Sequence, residues 1–175
     1  MGKVILYIAT SLDGFIAGKN DDISWLFTYN DVDYGYDSFF STIGTVIEGK
    51  RTYDIEIQSG WENAHPVPTF VMTHHIPEKK PERENVIFTN EGISDVLRKA
   101  KRMTDKNIWL MGGANLAKQF LVEGLIDEII LGVVPVILGE GILLLDSIGK
   151  KIPLQLNEVK QFDKGLIQLF YTIKE

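Results

Sequence analysis

A chain of 175 residues and 19.8 kDa is long enough for one packed domain, and an apolar share of 45% supplies its core. The absence of cysteine excludes disulfides, thiolate metal sites, thiol catalysis and cysteine-ligated clusters, so redox work would fall to an organic cofactor. A formal charge of -6 argues against a nucleic-acid surface, no apolar run approaches the roughly 18–20 residues of a membrane span, and the N-terminus has no small-residue cleavage site, as expected of a cytoplasmic protein.

Residues 3–10, rich in Val, Ile, Leu and Tyr, predict a central strand that feeds the loop SLDGFIAG, where Asp13 and Gly14 turn. After a polar stretch at 20–23, Trp25, Leu26 and Phe27 return an aromatic cluster to the body of the protein. Tyr36, Phe39 and Phe40 at i, i+3 and i+4 predict a helix over 33–41 with Asp33 at or near its start. Residues 45–47 form a short strand, and EGKRTY at 48–53 turns from it into a helix or turn carrying Lys50 and Arg51. Residues 58–68, rich in Gly, Pro and Asn around a lone Trp61, predict a surface loop. A strand over 69–73 ends at His74, His75 and Pro77, and the charged run EKKPERE at 78–84 predicts a solvated connection. Adjacent side chains on a strand point to opposite faces, so the two histidines make a poor metal site. A strand at 86–88 precedes Ile93, Val96, Leu97, Ala100 and Met103, whose spacing gives an amphipathic helix with its cations on the outer face.

The stretch NIWLMGGANLAKQFLVEG at 107–124 reads as buried strand, glycine turn and helix, with Leu116, Ala117, Phe120 and Leu121 at helical spacing and Gly124 as a left-handed stop. Gly112 and Gly113 mark either tight strand-to-helix packing or a phosphate held on backbone N–H groups at the helix start. The glycines fit neither a dinucleotide fingerprint nor a P-loop. Residues 128–138 form a long apolar strand interrupted at Pro135, and 154–162 with 166–173 form an antiparallel hairpin around Asp163-Lys164-Gly165. Strands and helices alternate and strands then dominate, which predicts a three-layer α/β sandwich with a mostly parallel mixed sheet and a C-terminal antiparallel hairpin, over a single domain at 1–175.

Four segments resemble the dihydrofolate-reductase-like fold, and in particular the C-terminal reductase domain of the bifunctional riboflavin-biosynthesis deaminase-reductases. They are ATSLDGFIA at 9–17, VIEGKRTYD at 46–54, WLMGGANL at 109–116 and DEIILGVVPVILGEG at 127–141. The resemblance implies NADPH along the C-terminal ends of the strands, with its pyrophosphate at Gly112, Gly113, Ala114, Asn115 and Leu116. It places Gly49, Lys50, Arg51 and Thr52 at the phosphates, with Thr73 and His74 nearby, and Ala9, Ile16 and Ala17 beside the nicotinamide.

The implied activity is hydride transfer from NADPH to a C=N or C=O carbon of a small pyrimidine, and the implied assembly is a homodimer with its contact over 133–145 and the closing hairpin. Asp13 either stabilises its own turn or holds the substrate as the resembling loop implies. Asp33 is either a helix cap or the carboxylate with which a pterin reductase holds its substrate. Where the riboflavin reductases tend to carry a cation after S-x-D-G, this chain has Phe15, which cannot pair with a phosphorylated ribose. The rival readings are therefore a dihydrofolate or other pterin reductase, and a noncatalytic nucleotide-binding module.

Overall fold

The computed structural model describes residues 2–60, 65–78, 81 and 83–174; Trp61 and three residues of the charged run, at 79, 80 and 82, lie outside these. In chain order the elements are β1 (Val4–Ser11), β2 (Phe15–Ala17), α1 (Ser24–Phe27), α2 (Tyr36–Ser41), β3 (Ile43–Gly49), α3 (Lys50–Gln58), β4 (Thr69–Met72), β5 (Val86–Thr89), α4 (Ile93–Met103), β6 (Asn107–Gly112), α5 (Ala114–Val122), β7 (Glu128–Val134), β8 (Ile142–Leu143), β9 (Leu154–Gln161) and β10 (Ile167–Ile173). The main sheet has eight strands in the order β5-β4-β3-β6-β1-β7-β10-β9. Pairing is parallel from β5 through β7, and β10 then runs antiparallel to both β7 and β9. Strands β2 and β8 form a separate antiparallel pair. No described helix is long and apolar enough to cross a membrane.

The apolar runs of the central strands follow from burial on two faces. Val4 and Leu6 on β1, with Ile108 and Leu110 on β6, pack against Val96, Leu97 and Ala100 of α4 and Ala117 and Phe120 of α5. The alternate positions point the other way: Trp109, Tyr7 and Met111 meet Tyr36, Phe39 and Phe40 of α2, while α3 places Tyr53 on Val71 and Val86. The result is the three-layer α/β sandwich with a mostly parallel mixed sheet that the alternation of elements predicts.

Three boundaries differ from the periodicity. The helix expected over 33–41 begins at Tyr36, because Gly35 sits in the left-handed region at φ 71 and the Asp33 carboxylate accepts the Gly35 N–H at 2.8 Å to close a turn instead. Strand β7 stops at Val134, since Pro135 has no N–H for the ladder that β10 reads from the other side. On β9 one extra residue at the Leu156/Glu158 step, opposite Tyr171 and Phe170, shifts the register, so Leu154, Leu156 and Val159 share one sheet face, opposite Ile173, Tyr171 and Leu169.

Candidate functional site

A cleft of about 1310 Å³ opens at the C-terminal ends of the parallel strands, where open α/β sheets bind ligands. Three helices begin on it, each directly after a strand or loop and each with glycine at its N-cap: Gly49 before α3, Gly92 before α4 and Gly113 before α5. Glycine has no side chain to cap the first turn, and none of the three receives a side-chain cap hydrogen bond. First-turn N–H groups and the positive helix ends are thus left facing the cleft.

The Gly49 and Gly112-Gly113 turns stand side by side because β3 and β6 are neighbours, with Glu48 level with Gly112. A Cβ placed on Gly49 would lie 3.7 Å from the Gly112 carbonyl oxygen, and one on Gly113 would lie 3.5 Å from Thr52 Oγ1. Gly112 takes φ 108, a left-handed value that glycine adopts without cost, and the Gly112-Gly113 peptide is cis.

Of the residues expected at a cofactor, Ala9, Ile16, Ala17, Gly49, Lys50, Arg51, Thr52, Thr73, His74, Gly113, Ala114, Asn115 and Leu116 all line the cleft. Gly112 does not, and lies behind them at the end of β6. Of the adjacent histidines, both beyond the end of β4 at Met72, only His74 reaches the lining. Lys50 pairs with Asp54 at 2.5 Å, and Arg51 with Asp21 at 2.5 Å; the Arg51 side chain is 66% exposed, so exchanging that partner for an anion costs little.

Neither candidate carboxylate is in the lining. Asp13 accepts from the Ser11 hydroxyl at 2.6 Å and from the Leu138 and Gly139 N–H groups at 3.1 and 2.8 Å, tying the loop after β1 to the loop after β7. The Ser11 hydrogen bond first, then the two backbone donors, hold its carboxyl down at about 2, so it stays ionised. Asp33 is exposed and occupied by the Gly35 turn.

Further residues of the cleft carry no functional signal in the local sequence pattern. Tyr36, Glu56 and His65 line the cleft together with Tyr7, Trp109 and Met111. Tyr36 Oη lies 3.3 Å from His65 Nδ1, His65 Nε2 lies 2.7 Å from Glu56 Oε1, and Arg83 Nη2 donates to Glu56 Oε2 at 3.2 Å. Behind them Glu48 is fully buried, 3.6 Å from Arg83. As an anion it finds no hydrogen-bond donor; burial, then the Glu56 charge, push its carboxyl up to about 9 against the pull of Arg83, and the protonated acid shares its proton with Glu56.

Burial likewise pushes the Tyr36 phenol up to about 12. His65 belongs to a segment read from composition as a surface loop, and Arg83 to one read as a solvated connection, yet both are buried. Their only common signal is a carboxylate partner, and Glu48 and Glu56 are separated from them in sequence by 9 to 35 positions.

The chain is 37% identical to the uncharacterized protein YwjB of Bacillus subtilis over 172 residues, covering 97% of each. A candidate riboflavin biosynthesis protein from Shewanella sp. PV-4 has the same fold at a TM-score of 0.88, with 26% identity and 99% of each chain covered. The diaminohydroxyphosphoribosylaminopyrimidine deaminase/5-amino-6-(5-phosphoribosylamino)uracil reductase of Thermotoga maritima superposes at a TM-score of 0.72 with 16% identity, over 99% of this chain and 57% of that one. The model of the RibD C-terminal domain matches residues 2–168, and the chain belongs to that family.

Proposed function

We propose that the protein is an NADPH-dependent reductase resembling the 5-amino-6-(5-phosphoribosylamino)uracil reductases, transferring a hydride to a C=N or C=O carbon. The observation that carries this reading is the convergence of uncapped glycine-led helix starts on one cleft. Backbone N–H groups without a side-chain cap suit a pyrophosphate, and Lys50 and Arg51 at the start of α3 suit a further phosphate. Bound there, NADPH would supply the hydride. The chain's own residues would bind and orient it through the first turns of α3 and α5, while Ala9, Ile16 and Ala17 would keep water from the nicotinamide side. The proton that balances the hydride would be held at Tyr36 Oη, a neutral phenol in the lining, because ionised Asp13 has none to give.

The pterin-reductase reading depended on Asp33, which lies outside the cleft lining and closes a turn. Calorimetric titration with NADPH and NADH tests the cofactor reading, and no binding at millimolar cofactor would sink it. NADPH oxidation followed by absorbance, with the pyrimidine and with dihydrofolate, separates the two reductases; cofactor binding with neither compound reduced would favour a noncatalytic module. We also place a homodimer contact on the closing hairpin, where Leu156 and Val159 are 51% and 53% exposed on one face of the edge strand β9.

A further inference from the structure

The cleft is larger than the roughly 300–1,000 Å³ typical of a pocket for one small ligand, at about 1310 Å³. Its two halves have different chemistry. The helix starts and the cations Lys50, Arg51 and Lys118 lie on α3 and α5 near Gly49 and Gly113. Beyond Ala9, on the same face of β1, comes Tyr7, one strand repeat or about 6.6 Å away. Tyr7 joins Trp109 at 6.0 Å, and Trp109 meets Tyr36 at 6.0 Å and His65 at 5.0 Å between ring centroids. Met111 completes this apolar floor.

The polar edge of this half is Tyr36, His65 and Glu56. Both Glu56 oxygens are engaged, one by His65 and one by Arg83. Arg83 is 6% exposed and is spent on Glu56 and Glu48. Among the described lining residues, this half therefore offers hydrogen-bonding groups and aromatic surface without an unpaired cation. A phosphate dianion brought against it would lose its hydration and gain no counter-charge, whereas an uncharged ring would lose little and could bond through its edge. Phe15 on β2 supplies no cation from the other side.

We infer that the substrate half of the cleft takes a planar, uncharged heterocycle carrying no phosphate, with its polar ring edge bonded by Tyr36 and its face against Tyr7 and Trp109. This rests on the reductase reading only for which end of the cleft is left to the substrate. It sets the protein apart from a reductase that identifies its pyrimidine by a phosphorylated ribose.

The test is calorimetric titration of the NADPH-saturated protein with 5-amino-6-(ribosylamino)uracil and, separately, with its 5′-phosphate. The expected result is that the phosphate improves affinity by less than threefold, and that Tyr36→Phe weakens both compounds by about fivefold to tenfold, the worth of one net hydrogen bond, with NADPH affinity unchanged. Trp109→Phe keeps an aromatic floor and serves as the fold-preserving second variant, expected to weaken both compounds and leave NADPH alone. A phosphate ester bound tenfold or more tightly would overturn the inference, and so would failure of both compounds to bind protein that holds NADPH. Failure of NADPH itself to bind would count against the reductase reading; in that case the same titrations on cofactor-free protein decide the subsite by the same ratios.

Discussion

Glu48→Gln should stabilise the protein, and by more at high pH than at low. Glu48 lies at 0% exposure on β3, directly before Gly49, with its carboxyl raised from 4.5 to about 9 by burial and by the Glu56 charge. The unfolded chain releases this proton near 4.5, whereas the folded chain keeps it to about 9. Between those values the folded state binds more protons, so the contribution is fully present below 4.5 and is lost as pH rises through about 9. One retained proton corresponds to about 1.4 kcal/mol per pH unit, or at most about 3 kcal/mol between pH 6 and 8. Because Glu48 and Glu56 share it, that slope belongs to the pair. The glutamine side chain keeps the shape, can donate to Glu56, and has no proton to lose. Urea unfolding of both proteins at pH 6, 7 and 8 should show the variant gaining on the parent with each unit, reaching a difference of up to about 3 kcal/mol over the range. Parallel stability lines across that range, or a variant that loses ground as pH rises, would refute the reasoning.

Arg83→Met removes the buried cation between Glu48 and Glu56; breaking such a pair costs about 3 kcal/mol, and a thermal melt should drop by roughly 6–12 °C. Gly141→Ala forces a Cβ to within 2.1 Å of the Ala17 carbonyl oxygen at φ 142, which should cost about 2 kcal/mol and weaken NADPH binding, since Ala17 lines the cleft. Asp13→Asn should spare turnover and lower stability above about pH 4: the lowered carboxyl contributes above its ordinary 3.8 and loses that contribution as pH falls through about 2, so circular-dichroism acid titrations of parent and variant should differ at neutral pH and converge at the acid end. Loss of turnover with fold and NADPH affinity intact would instead give Asp13 a part in the chemistry. Val159→Glu puts a charge on the exposed apolar face of β9 and should shift sedimentation from dimer to monomer; a parent protein that sediments as a monomer removes that contact.

The local pattern alone determined most of the scaffold. Short apolar runs bounded by glycine and proline, too brief for helices, read as strands buried on both sides, and the spacing of Ile93, Val96, Leu97, Ala100 and Met103 leaves a helix one face to bury; the first four are buried, while Met103 in the last turn is 50% exposed. The glycine turns were legible for the same reason, since a strand that passes into a helix through glycine leaves uncapped N–H groups, and Gly49 and Gly113 are such N-caps. Even Asp13 was readable as a turn residue. What no local pattern encodes is which distant side chains meet. His65 and Arg83 carry no periodic signal; a loop and a charged connection look solvated until α3 turns Glu56 toward them and β3 brings Glu48 underneath. Burial of Arg83 is tolerable only because those carboxylates surround it, and Glu48 holds its proton because it is buried and, next, because Glu56 is charged. Tertiary packing therefore decided the polar wall of the cleft, as it decided that Asp33 faces solvent and that the chain turns at Gly35 before α2 begins.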